Sequence, residues 1–141
     1  MTTAEPNKDV QAWLERQGVD AAAVDLSIIV PAYNEERRLP PTLIDMIDYL
    51  DTLPQNYEII DVDDGSRDQT ISVARKFERI RRQVRLICCP ENHGKGYAVR
   101  TGMLNAHGRH LVFADADGST PIKEVERLML ALDQGADIAV G

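Results

Sequence analysis

This 141-residue chain predicts a doubly wound α/β fold, with a mostly parallel sheet and helices on both faces. Five short apolar runs are largely unalternating and β-branched, as strands buried on both faces are. Four stretches of helical periodicity lie between these runs. Strand and helix patterns alternate throughout, which builds right-handed βαβ units and hence a parallel sheet.

The elements follow in order. Met1 to Asp25 is polar and acidic, without the charged-then-apolar pattern of a secretory signal. Within it, Asp9 to Gln17 suggests a short amphipathic helix around Val10, Trp13 and Leu14. We expect residues 1–25 to be an appendage and 26–141 to be one domain. The first strand is Leu26 to Val30, stopped by Pro31, which has no N–H for a central ladder. Pro40 to Leu53 is the first helix, with Leu43, Ile47 and Leu50 on one stripe. The second strand is Tyr57 to Val62. A helix over Asp68 to Ile80 follows, turning Ile71, Ala74 and Phe77 inward. Ser66 with Gln69 fits a capping box, and Asp68 is an alternative N-cap. The third strand, Val84 to Cys88, leads into a helix over Lys95 to Ala106, with Val99, Met103 and Ala106 facing the core. After the fourth strand, His110 to Ala114, Thr120 and Pro121 open a helix to Gln134 as N-cap and first helical residue. Its stripe is Ile122, Val125, Leu128 or Met129, and Leu132. The fifth strand is Ala136 to Val140. An apolar run ending at Gly141 leads us to expect a domain cut short there or completed by a partner.

Composition removes several function classes. The apolar fraction, 43%, suffices for a core, and the net charge of −7 argues against a nucleic-acid binder. No apolar stretch reaches the ~18 residues of a membrane span. Cys88 and Cys89 are adjacent, so they form neither a disulfide framework nor a metal pair. They read as buried strand-end thiols in a reducing compartment. We therefore expect a cytoplasmic protein, with membrane association left open. The cluster Arg75, Lys76, Arg79, Arg81, Arg82 and Arg85 reads either as a solvated face or as a contact for anionic lipid.

The chemistry gathers where strands end. Asp115-Ala116-Asp117-Gly118 follows the fourth strand, and two carboxylates two residues apart on an extended chain point the same way. A hard divalent cation carrying a substrate phosphate suits such a pair. Spacing alone is weak: with 14 Asp in the chain, chance supplies about one Asp-x-Asp. Asp61/Asp63 is a second instance, so position has to decide. Tyr33, Asn34 and Glu35 follow the first strand and offer a ring, an amide and a carboxylate. Asp63 and Asp64, at the end of the second strand, exceed what capping needs, and they suit the donors of a nucleoside base and ribose. After the third strand, Gly94-Lys95-Gly96 at a helix start can present N–H groups and one cation to a phosphate. It lacks the Walker spacing. Arg100 lies on the same helix and faces either ligand or solvent. A doubly wound sheet brings all four loops to one edge. A phospho-acceptor signalling domain also clusters Asp on such a sheet, but it needs an acid pair after the first strand, where this chain has Pro31-Ala32-Tyr33-Asn34.

In order and spacing, Ser27 to Glu36, Asp63-Asp64-Gly65-Ser66-x-Asp68, Asn92-x-Gly94-Lys95-Gly96 and Asp115-Ala116-Asp117-Gly118 resemble the family 2 glycosyltransferases, which have a nucleotide-sugar-binding GT-A fold. Asn92 to Gly102 and Ala114 to Pro121 resemble most the dolichyl-phosphate β-glucosyltransferase branch. The related mannosyltransferases share much of this pattern, so the donor stays open. The resemblance covers Leu26 to Gly141, the amino-terminal part of the family's domain. It implies a metal-dependent, inverting transfer of a sugar, glucose from UDP-glucose, to a polyprenyl or dolichyl phosphate. The alternative is a truncated nucleotide-sugar-binding module without transferase activity. By resemblance, Pro31, Tyr33, Glu35 and Asp64 bind the base and ribose, joined by Asp63 on the strand-end reading above, and Lys95 and Arg100 stand near the donor. Asp115 and Asp117 are the catalytic pair that holds Mg²⁺ or Mn²⁺, with Asp115 also touching the donor. The implied partners are a nucleotide-sugar donor, a lipid-phosphate acceptor and a peripheral membrane contact, with no nucleic acid. Asp61 departs from the family, which has an apolar strand residue there.

Overall fold

The computed structural model describes Asp9 and residues 23–140. The helix expected over Asp9 to Gln17 falls outside them apart from Asp9. Four strands form the sheet: β1 (Leu26–Ala32), β2 (Tyr57–Asp64), β3 (Val84–Cys89) and β4 (His110–Phe113). The helices are α1 (Leu39–Leu50), α2 (Thr70–Ile80), α3 (Lys95–Leu104) and α4 (Val125–Asp133), the last entered through a 3₁₀ turn at Ile122–Glu124. All pairings are parallel, and the strand order is β3-β2-β1-β4. The doubly wound parallel sheet expected from the sequence is therefore present.

The sheet has an apolar core on each face, as its unalternating strands require. On one side Ile28, Val30 and Ile59 pack with Leu39, Leu43, Met46 and Leu50 of α1, Ala74 of α2, and Val125 and Met129 of α4. On the other side Ile29, Ile60 and Val62 pack with Cys89 and Ala98. Each fully buried Leu or Ile contributes about 1.5–3 kcal/mol. An exposed ion pair contributes at most ~1 kcal/mol, so these two cores hold the strand ends in place. Pro40 and Pro41 occupy the first turn of α1, where no N–H is needed.

Four local expectations are corrected. The strand expected to stop at Val30 runs through Pro31, which aligns with Val62. Alternate residues of a strand bond to alternate sides, and Ile29 accepts its bond from Ala114 on the β4 side. Pro31 faces that same side beyond the end of β4, so no ladder bond is lost there. The core-facing line of α3 is Ala98 and Gly102, with Met103 and Ala106 half-buried beside it. A side chain at Gly102 would meet Ile29 Cγ2 at 2.5 Å, so close approach to the sheet decided the phase rather than side-chain bulk. Thr120 and Pro121 do not cap a helix directly; Pro121 is extended and precedes the 3₁₀ turn. Residues 136–140, expected as a fifth strand, make no ladder: Ile138 is 83% and Val140 90% exposed. An apolar run becomes a strand only where an edge pairs with it, and among the described residues none pairs with this one.

The cysteines divide. Cys89 is buried, whereas Cys88 is exposed on the edge strand. Partial desolvation by the neighbouring strand and helix, and then the nearby Asp63, Asp61 and Glu78 charges, hold the Cys88 thiol above its ordinary value, which keeps it a poor nucleophile.

Candidate functional site

The loops at the carboxyl ends of β1, β2, β3 and β4 are tied to one another by side chains. Asn34 stands in the left-handed region at φ 52° and staples two loops. Its N–H donates to Ser66 Oγ at 2.9 Å, and its Oδ1 accepts from the Arg67 N–H at 2.9 Å. The next N–H, of Glu35, donates to Thr70 Oγ1 at 2.8 Å, tying the same loop to the start of α2. Asp68 Oδ1 accepts from the Thr70 N–H at 2.9 Å, but the N-cap of α2 is Gln69, without a side-chain cap bond, so Asp68 steadies the approach to the helix and is not the N-cap expected. Ser66 serves the neighbouring loop instead of a capping box.

Asp63 and Asp64 part company because successive strand residues face opposite sides. Asp63 is fully buried; its Oδ2 accepts from the N–H groups of Gly65 and Ser66 at 3.1 and 2.9 Å. That carboxylate shapes the turn and does not line the cleft. Asp64 does line it, and its two oxygens accept from the N–H groups of His93 and Gly94 at 2.9 and 2.8 Å. The glycine loop is thereby hung from the end of β2. Gly65, at φ 76°, passes so close to Glu91 and Asn92 that a Cβ would lie 2.7 Å from their backbone.

A cleft of about 300 Å³ opens between these loops. Pro31, Ala32, Tyr33 and Glu35 line one part, Asp64, Asn92 and Gly94 another, and Lys95, Ala98, Asp115, Ala116 and Asp117 the rest. The tips of β2 and β4 thus flank the end of β1 and share one cavity. Seven residues singled out from the sequence meet there: Pro31, Tyr33, Glu35, Asp64, Lys95, Asp115 and Asp117. Arg100 is exposed on α3 and is not in the lining.

The acidic pair is held ready. Buried Ala114 and Ala116 anchor its backbone, and Ser119 bridges its carboxylates: the N–H donates to Asp117 Oδ1 at 3.0 Å and Oγ to Asp115 Oδ2 at 3.3 Å. The Ser119 N–H, then its side chain, and further out the Arg38 charge hold the Asp117 carboxyl below its usual range. The Lys95 ammonium pairs with Asp115 and lies 5.6 Å from the Phe113 ring centroid. Arg38 grips Glu35 with two bonds of 2.6 and 2.8 Å and stands 4.0 Å from Asp117. Arg38 and Ser119 were not singled out from the sequence. The three-residue step from Glu35 to Arg38 on a helix start was the available signal for the first. Nothing in spacing marked the second.

This donor set fits a hard divalent cation. Two carboxylates face open space, and Mg²⁺-like ions take one or two carboxylates and complete their shell with water and substrate phosphate. Among the described residues no group of three or more His, Cys, Asp or Glu side chains forms a cage of its own.

Comparison with known proteins adds an independent line. The sequence profile of Glycosyl transferase family 2 matches residues 27–141. The Drosophila melanogaster protein named dolichyl-phosphate beta-glucosyltransferase is 47% identical over 122 residues, spanning 82% of this chain and 37% of that protein. Its Homo sapiens namesake is 40% identical over 121 residues, spanning 81% and 37%. The chain thus spans a little over a third of these curated relatives, 37% of each. Among solved structures, S. aureus TarS 1-349 in complex with UDP-GlcNAc superposes with a TM-score of 0.65 at 24% identity, over 78% of this chain and 31% of that one. Mannosyltransferase PcManGT from Pyrobaculum calidifontis, in complex with GDP-Man and Mn²⁺, gives 0.58 at 24% identity, over 77% and 34%. At these identities the likeness shows a shared nucleotide-sugar transferase fold.

Proposed function

The chain belongs to glycosyl transferase family 2, and from that premise we propose that its cleft binds UDP-glucose for inverting transfer of the sugar to a dolichyl or other polyprenyl phosphate. The observation that carries this reading is the single cleft joining Tyr33, Glu35 and Asp64 to Lys95, Asp115 and Asp117. The exposed Tyr33 ring offers a face to the base. Glu35, with Arg38 fixing its carboxylate, accepts from ribose hydroxyls. Asp64 fixes the glycine loop, and the start of α3 then turns a positive dipole end and the Lys95 ammonium toward the diphosphate. Asp115 and Asp117 would hold Mg²⁺ or Mn²⁺; when bound, the ion supplies Lewis-acid neutralisation of charge on the departing nucleoside diphosphate. An oxygen of the lipid phosphate forms its bond to the anomeric carbon as the bond to the UDP oxygen breaks, with inversion. The acceptor needs little base catalysis, since a phosphate monoester has its second pKa at about 6.

Titration of UDP in the presence and absence of Mn²⁺ tests the site. Asp117→Ala should lower Mn²⁺-dependent UDP affinity by about tenfold or more, at least the loss seen when even a supporting group of a metal site is removed. Unchanged affinity removes the metal assignment. Transfer is measured separately, with UDP-glucose and dolichyl phosphate. Every cleft residue assigned a role serves the donor or the metal and none the lipid acceptor, which favours a second reading, a donor-binding module without transferase activity. Binding without turnover would select it.

A further inference from the structure

The face of α2 turned away from the sheet has no part in the cleft. Ser72, Arg75, Lys76, Arg79 and Ile80 follow the three- and four-residue steps of one helix face, and all five are exposed. Ile80 is 78% exposed, an apolar side chain standing among cations. The one acid on the helix, Glu78, is turned toward β3, where its Oε2 accepts from the Leu86 N–H at 2.8 Å. Six other cations have carboxylate partners: Arg38 with Glu35, Arg81 with Asp51, Arg85 with Glu58, Lys95 with Asp115, Arg109 with Asp133 and Arg127 with Glu124. Among the described residues no carboxylate forms an ion pair with Arg75, Lys76 or Arg79. In a chain of net charge −7, this face therefore carries positive potential that the fold itself does not neutralise.

We propose that the outward face of α2, through Arg75, Lys76, Arg79 and Ile80, is a docking surface for an anionic lipid bilayer. Charge complementarity selects the occupant. Basic side chains near such a surface each add roughly fivefold to binding, and an exposed Ile among them inserts into the interface where a purely ionic partner would leave it in water. The acidic balance of the rest of the chain disfavours a polyanion that must wrap the molecule, such as RNA. The amino end of α2 is bonded to the cleft loop through Thr70. At ~1.5 Å per residue, Ile80 lies about 15 Å along the axis from that contact. The surface is thus near enough to bring the cleft to a membrane-borne acceptor, and in that purpose alone the inference rests on the proposed function.

The test is co-sedimentation of the full chain with phosphatidylcholine vesicles, with and without phosphatidylserine. Phosphatidylserine should raise binding, and added salt should reverse the gain. The triple variant Arg75→Gln, Lys76→Gln, Arg79→Gln should lose it by about a hundredfold, from three such cations. A control with the same charge removed elsewhere, Arg109→Gln, Lys123→Gln, Arg127→Gln, should keep most of it. Circular dichroism establishes that both variants are folded; if the triple variant is not, Ile80→Ser and single Gln variants replace it, each expected to weaken binding severalfold. Equal binding to neutral vesicles, no binding to either, equal loss in both triple variants, or capture by RNA in place of vesicles overturns the proposal. UDP affinity, measured on the same proteins, reports separately on the cleft.

Discussion

Asp61 lies in the middle of β2, wholly buried, with neither carboxyl oxygen hydrogen-bonded. Burial, and then Asp63 two residues along the same face, push its pKa up to about 8. The unfolded value is about 3.9. Between these values the folded chain holds a proton that the unfolded chain releases. The stability this group allows is full below about pH 4 and falls as pH rises through about 8, by up to ~1.4 kcal/mol per unit. We therefore expect denaturant midpoints to drop across that window. Asp61→Leu should flatten the slope and raise stability at neutral pH by about 2 kcal/mol or more, since it removes an unsatisfied buried group. The same slope in both proteins would show another group responsible. At this scale the sequence was legible in chemistry but not in direction. The acids at the end of β2 stood out as a cluster, yet the strand's alternation, which hides Asp61 and Asp63 and presents Asp64, depends on which face the helices cover.

Among the elements, α3 shows how far periodicity reaches. Its existence and start were legible from Gly94-Lys95-Gly96, whereas the phase centred on Val99 and Met103 was not. Periodicity scores bulk, but a helix lying close over a sheet puts its smallest residues in the seam. Gly102→Ala tests this. Helix propensity alone would reward the change by about 1 kcal/mol. The added Cβ, 2.5 Å from Ile29 Cγ2 and 3.1 Å from Val62 Cγ2, should outweigh that, with overpacking costs of 1–3 kcal/mol as a typical magnitude. A net loss of about 1 kcal/mol in urea unfolding is expected. A higher midpoint would mean α3 lifts away freely. Pro31 teaches a related lesson: a residue barred from central ladders is tolerated in one where the neighbouring strand has already ended.

For the molecule as a whole, strand-helix alternation gave the parallel sheet and located the cleft at its carboxyl edge, because topology alone brings four loop ends together. What alternation does not give is strand order, or whether a given apolar run finds an edge. Residues 136–140 read as a strand by composition and form none. Charge is also distributed on this scale: Glu35, Asp64, Asp115 and Asp117 line the cleft, whereas Arg75, Lys76 and Arg79 on the outward face of α2 are not part of its lining. No helix among the described residues is long and apolar enough to cross a membrane.

The two margins of the sheet differ in a way that governs how the isolated chain behaves in concentrated solution. On β3, Glu78 occupies the Leu86 N–H and blunts that rim. On β4, nothing among the described residues pairs with the outer rim, and Leu111 and Phe113 stand 37% and 49% exposed. An uncapped, greasy rim is a template for sticking. Light scattering should show particle size growing with concentration, and Leu111→Lys should suppress that growth while leaving the melting temperature within a few degrees, as a surface change of about 0.5 kcal/mol would. Growth unaltered by the lysine would shift blame to some other patch. Purification at low concentration, or with mild detergent shielding that rim, follows as the practical course.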